Sequence, residues 1–150
     1  METIVLGIGN LLMGDDGVGV HAAIRLCQEG ISDAEVVEVG TAILDALPLL
    51  ETADRIIVMD AIRGGNVPGT LYRLPLADCA ENTAIASVHG LSLIRVLSLH
   101  GKNVPDGVVL GVEPDYLGWS MSLSPVVRET LPVLLNAVRE EVIRTPRNGY

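Results

Sequence analysis

Two stretches, ETIVLGIG at 2–9 and RIIVMDAI at 55–62, are apolar almost without interruption. Successive side chains of a strand face opposite sides of its sheet, so a strand with one wet face alternates apolar and polar residues. A run without alternation belongs to a strand covered on both faces, as in a parallel sheet between layers of helices. Helical periodicity fills the gaps between such runs. Val20, Ile24, Cys27 and Ile31 recur at i, i+4, i+7 and i+11 after the first strand, the spacing of an amphipathic helix. On this reading Cys27 is a buried, reduced thiol.

AEVVEV forms a second strand, AILDALPLLETA a short helical stretch disturbed by Pro48, and GTLYRL and GVVLGVEP two further strands. A long helix is expected from His89, with Leu93, Val96 and Leu97 on one face. Ser124-Pro125 has the form of an N-cap followed by proline at the first helical position. Val127, Leu131, Leu134, Val138 and Val142 then keep helical spacing, with a kink expected at Pro132. Strands alternating with helices predict an α/β three-layer sandwich around a mostly parallel sheet of about five strands. The 150 residues suit a single domain over 1–150, with TPRNGY at 145–150 a frayed tail.

Composition narrows the function. Net charge is −9, which disfavours nucleic acid and anionic membranes as partners and suits a basic or cationic one. Aromatic residues are 3% of the chain, with no Phe, so a platform for stacking bases is not expected. No apolar run reaches the roughly 20 residues of a membrane span, and METIVLG lacks the basic start of a signal peptide. The expectation is a cytoplasmic monomer.

The first strand runs into glycines, yet the turn is no nucleotide cradle. A P-loop needs GK[ST], which is absent, and the dinucleotide fingerprint begun by Gly7 and Gly9 has Leu12 where a third glycine belongs. Asp15 and Asp16 would face the pyrophosphate, a repulsion of several kcal/mol at an effective dielectric of about 20. For Asp15 the sequence favours capping of the helix that follows.

Asp16 follows the first strand and Asp60 ends the third. In parallel strands both emerge on one edge, where ligands of such sheets bind. His89, in ASVHGLSLIRVL, opens the later helix and can reach the same edge. Two carboxylates and an imidazole suit borderline divalent metals such as nickel, zinc or manganese. They do not make a closed structural zinc site. His100 lies about 16 Å from His89 along a helix axis, too far to share an ion, and His21 is expected to be solvated. Neither HExxH nor G-x-S-x-G occurs.

GIGNLLMGDDGVG, Asp60 at the end of a strand, PGT at 68–70, SVHGLSL and GVEPDYLGWSMSLSP at 111–125 occur in order. Together they resemble the hydrogenase maturation endopeptidases. That resemblance implies a protein that cuts a C-terminal extension from the precursor of a [NiFe]-hydrogenase large subunit. It implies metal-contacting and catalytic positions at Asp16, Asp60 and His89, with nickel presented by the substrate and no organic cofactor. Where members often carry Asp-Gly-Gly-Thr, this chain has Glu38-Val39-Gly40-Thr41, which makes Glu38 a further candidate acid. The readings set against a processing enzyme are a non-catalytic nickel-sensing maturation chaperone and a dinucleotide-binding enzyme.

Overall fold

The computed structural model describes residues 2–79 and 105–144. The expected helix from His89, with His100, and the tail at 145–150 lie outside the described residues. Strand β1 (Thr3–Ile8) leads through a 3-10 turn at Gly14–Gly17 into helix α1 (Val18–Glu29), and β2 (Glu35–Gly40) follows. A second 3-10 turn, Ile43–Ala46, runs into α2 (Leu47–Thr52) and then β3 (Arg55–Ala61). After them come β4 (Leu71–Pro75), α3 (Leu76–Cys79), β5 (Asp106–Val112) and α4 (Pro125–Ile143).

The sheet has the order β2-β1-β3-β5-β4. β1 is parallel to β2 and β3, β3 is parallel to β5, and β4 alone runs antiparallel, on the edge. The expected mostly parallel five-stranded sheet is therefore present. Period two divides its side chains between two apolar layers. Val5, Ile57, Met59, Val108 and Leu110 meet α1 and α4 through Val18, Ala22, Leu26, Val127, Leu131 and Leu134. Ile4, Leu6, Ile56, Val58 and Val109 face the other way, against Ile43, Leu50 and Leu76. Each completely buried Leu or Ile contributes about 1.5–3 kcal/mol relative to exposure.

The buried stripe of α1 differs from the one expected. Val18, Val20, Ala22, Ala23 and Leu26 are buried, whereas Ile24 is half-buried and Cys27 is exposed. Small residues cause the difference. A Cβ on Gly19 would lie 2.1 Å from the Met59 carbonyl oxygen, and one on Gly7 would lie 2.6 Å from the Ala23 Cβ. The helix thus touches the sheet through glycine and alanine, a contact that a count of large apolar residues misses.

The two prolines also find places that keep their helices. Pro48 sits in the first turn of α2, where its missing N–H goes unneeded. α4 continues through Pro132 as one helix of 19 residues.

This topology opens a crevice. α1 leaves β1 across one face of the sheet, and the Ile43–Thr52 segment leaves β2 across the other. Between β1 and β3 the strand order reverses, the place where open α/β sheets bind ligands. Pairing of these two strands ends at Gly7–Met59, and Gly9 N–H then donates to the Gly40 carbonyl at 3.0 Å. β3 continues with β5 for two more pairs, Asp60–Gly111 and Ala61–Val112. The third strand thus ends one residue later than expected, leaving Asp60 beside the split.

Candidate active site

The acidic turn is built on close backbone contact. Gly9 has φ of 133°, and a Cβ there would meet the Asp16 carbonyl oxygen at 2.0 Å, so glycine is required for the chain to fold back on itself. The half-buried Asp16 closes the turn: its Oδ2 accepts the Asn10 N–H at 2.8 Å. Asn10 Oδ1 in turn accepts the Leu12 N–H at 3.0 Å. Gly17, not an aspartate, occupies the N-cap of α1, and no side chain caps it.

Asp15 is fully buried and does something the sequence reading missed. Its Oδ2 accepts the N–H groups of Asp115 and Tyr116, both at 2.9 Å, and the Ser124 hydroxyl at 2.7 Å. Its Oδ1 accepts the Ser124 N–H at 2.8 Å. The expected cap of α1 is thus a clamp on the loop between β5 and α4, about a hundred residues away in sequence. The four-residue 3-10 turn sets Asp15 ahead of the helix start and aims its carboxylate sideways. A hydrogen bond to a charged group is worth about 1.5–3 kcal/mol, so four of them fix this loop firmly. Ser124 holds the expected N-cap position of α4, but its hydroxyl serves Asp15.

Asp60 is buried beside the split between β1 and β3, and its Oδ1 accepts the Ala61 N–H at 2.8 Å. Period two sets it on the same side of the sheet as Ile56 and Val58. The start of α1 lies against the end of β3, as the approach of Gly19 to the Met59 carbonyl requires. Asp16 and Asp60 therefore both stand at the carboxyl edge of the sheet, as the parallel strands predicted. His89 lies outside the described residues, and among those described no three His, Cys, Asp or Glu groups gather closely enough to hold a metal ion. Glu38 is exposed on edge strand β2, opposite Gly7 in register, and lines a hollow of about 120 Å³ with Val39, Ala42, Asp45 and Leu49.

Three further features border this edge. A cleft of about 350 Å³ between the loops after β3 and β5 is lined by Arg63, Asn66, Glu113, Asp115 and Leu117. Glu113 is buried there, and its carboxylate accepts the Tyr72 hydroxyl at 3.2 Å and the Gly64 N–H at 3.3 Å. His21, expected in solvent, is half-buried on α1. Its ring bonds the Met121 backbone, while its buried Nε2 has no partner. Burial lowers its pKa below the ordinary 6.5, against the backbone hydrogen bond and the charge of Asp15, which act to raise it.

Chemically, this edge offers carboxylate oxygens, hard donors that bind cations or accept protons. The sequence profile of the hydrogenase maturation protease family matches residues 20–141, a span that contains Asp60 and His89 and begins just after the acidic turn. The hydrogenase 2 maturation protease of Escherichia coli K12 is 32% identical, with 99% of this chain and 98% of the relative covered. The hydrogenase expression/formation protein HupD of Rhodobacter capsulatus is 33% identical over 93% of this chain and 70% of its own length. Among solved structures, the hydrogenase maturating endopeptidase HybD of Escherichia coli superimposes with a TM-score of 0.79 at 30% identity, covering 92% of this chain and 90% of that one. For the [NiFe] hydrogenase maturation protease HybD of Thermococcus kodakarensis the TM-score is 0.81 at 25% identity, over 93% and 98%. With a family match over most of its length and relatives at 30% identity or more along nearly the whole chain, the chain belongs to the hydrogenase maturation proteases, endopeptidases that act in the maturation of hydrogenases.

Proposed function

We propose that this protease removes the C-terminal extension of a [NiFe]-hydrogenase large-subunit precursor that already carries nickel, and that Asp16, Asp60 and His89 approach that metal. The observation that supports the proposal is that Asp16 follows β1 and Asp60 lies near the end of β3, two parallel neighbours flanking the point where the strand order reverses. Oxygen donors from two carboxylates, with one imidazole, form a set that borderline divalent ions accept. The metal belongs to the substrate. It polarises the scissile carbonyl or activates a water, while a carboxylate of this chain takes the proton from the attacking water and returns it to the leaving amine.

The chain acts as a monomer in the cytoplasm and uses no organic cofactor. Among the described residues no helix is long and apolar enough to cross a membrane. A nickel-sensing chaperone without turnover would need the same carboxyl edge, but the two Escherichia coli proteins this chain resembles are named a maturation protease and a maturating endopeptidase.

The test is the intact mass of a panel of hydrogenase large-subunit precursors, with and without inserted nickel, after incubation with this protein. Loss of a C-terminal peptide from the nickel-loaded form alone is expected. Equal cleavage of nickel-free precursor would remove the metal from the substrate's role. No mass change across the panel, with every precursor folded, would leave the chaperone.

A further inference from the structure

Four of the eight large hydrophobic side chains exposed among the described residues lie together beside the acidic turn. They are Leu12 (47% exposed), Tyr116 (51%), Trp119 (78%) and Met121 (64%). The chain has one tryptophan and no phenylalanine, and its core is aliphatic. Its largest aromatic side chain is thus held in solvent, beside the candidate active site.

The display is rigid. Met13 and Ser120 form a parallel bridge, with the Ser120 N–H donating to the Leu12 carbonyl at 3.0 Å and the Gly14 N–H to the Ser120 carbonyl at 2.8 Å. In such a bridge the residues flanking the pair turn to the side opposite it. Leu12, Trp119 and Met121 therefore share a face. The Asp15 N–H donates to the Tyr116 carbonyl at 2.8 Å, and Asp15 pins the loop from below. Gly14, at φ 56°, leaves room for Tyr116: a Cβ there would meet the ring at 3.0 Å. Clustered apolar exposure held in order marks an interaction surface, and Trp, Tyr and Met are residue types enriched at interface cores.

Charge selects the occupant. Residues 10–16 and 113–124 contain Asp15, Asp16, Glu113 and Asp115 and no Lys, Arg or His. Arg128, which reaches the Leu123 carbonyl at 3.0 Å, stands at the border. Acidic residues under an apolar patch disfavour an anionic membrane, and a second copy would set like charges face to face. We propose that this patch docks the folded body of the precursor through an apolar spot rimmed by basic groups, next to the metal presented to Asp16. The assignment rests on the processing reading above and adds to it the surface on which the substrate is held.

Kinetics of precursor cleavage by Trp119→Ala and by Trp119→Ala/Met121→Ala test it. Both side chains are exposed, so the folded state persists, which circular dichroism checks. KM for a nickel-loaded precursor rises about tenfold or more, with kcat within twofold, and KM for the unsubstituted chain climbs with added salt. Independently, Asp16→Asn chain labelled with 5-fluorotryptophan gives one fluorine resonance, which shifts or broadens on adding precursor. Cleavage with KM and the resonance unmoved would overturn the docking assignment alone. Self-association abolished by Trp119→Ala would give the patch to a second copy and overturn it too. If the unsubstituted chain cleaves no precursor, the processing reading fails and takes this one with it.

Discussion

The two ends of the sheet bury carboxylates in opposite ways. At the end where β3 and β5 begin, Glu141 of α4 is buried among arginines. Its carboxylate accepts hydrogen bonds from Arg55 at 2.7 Å and from Arg73, and Arg144 lies 3.4 Å away. Burial alone would raise the Glu141 pKa, but the hydrogen bonds from Arg73 and Arg55 and the charges of Arg73 and Arg144 outweigh it and lower it. At the other end Asp15 and Glu113 are buried against N–H and hydroxyl groups, and among the described residues no guanidinium is bound to either. One end cancels its charge and ties α4 to β3 and β4. The other end, among the described residues, holds its buried carboxylates with neutral donors, which leave their negative charge in place. A cation or metal-bearing partner is attracted to that end.

The largest effect that can break this contrast is on turnover. Asp16→Asn keeps an oxygen for the Asn10 N–H but removes the charge and the proton acceptor. Cleavage of nickel-loaded precursor should fall by about 10²–10⁴-fold, with the thermal midpoint nearly unchanged. An Asp16→Asn protein that cleaves at the original rate would remove Asp16 from the chemistry and leave it as a turn-closing residue.

Stability comes next, and here the two ends should separate. Among the described residues, Glu141→Gln leaves Arg55, itself buried, with only the exposed Asp106 carboxylate at 3.7 Å, a loss of about 3–5 kcal/mol. Asp15→Asn weakens a set of charged hydrogen bonds and costs about 1–3 kcal/mol. Urea unfolding ranks the two. Below the unfolding midpoint Glu141→Gln should keep its KM, whereas Asp15→Asn, which loosens the Trp119 loop, should raise it. Equal KM values for both would mean that the clamp and the docking loop are uncoupled.

The sequence revealed the parts of this contrast that depend on periodicity and on strand ends. Uninterrupted apolar runs located β1 and β3, and parallel strands with their carboxylates at one end brought Asp16 and Asp60 to one edge. What it hid depends on contacts between distant segments. Nothing local to GDDG reveals that Asp15 binds residues 115, 116 and 124, because three of its four donors are backbone N–H groups, whose residue type carries no signal. The exposure of Cys27 was hidden for a related reason: α1 meets the sheet through Gly19 and Ala23, and hydrophobic spacing gives no weight to glycine. Of GVEPDYLGWSMSLSP the residues themselves marked a strand end and a helix start, and its role as a pinned apolar display needed the Met13–Ser120 bridge.

The smallest effect sharpens the comparison through pH. His21 packs under the Met121 backbone, beside Asp15, with its pKa lowered mainly by burial. Between that lowered value and the ordinary 6.5 of the unfolded chain, the unfolded state binds a proton that the folded state does not. Stability then rises with pH across this window. Acidification from neutrality therefore loses stability as pH falls through about 6.5 toward the folded value. Glu141 behaves differently, since its pKa is lowered below 4.5. Its contribution is complete above the unfolded value and disappears only as pH falls through the lower folded one. Mild acid should thus weaken the site edge while the arginine cluster at the other end still holds. Urea unfolding at pH 7.5 and 5.5, followed by the emission of Trp119, should show a smaller pH difference in His21→Gln than in the unsubstituted chain. Subtracting the two isolates the share that depends on His21. An identical difference in both proteins would mean that the His21 proton is not linked to folding, and that the site edge is no more acid-sensitive than the arginine end.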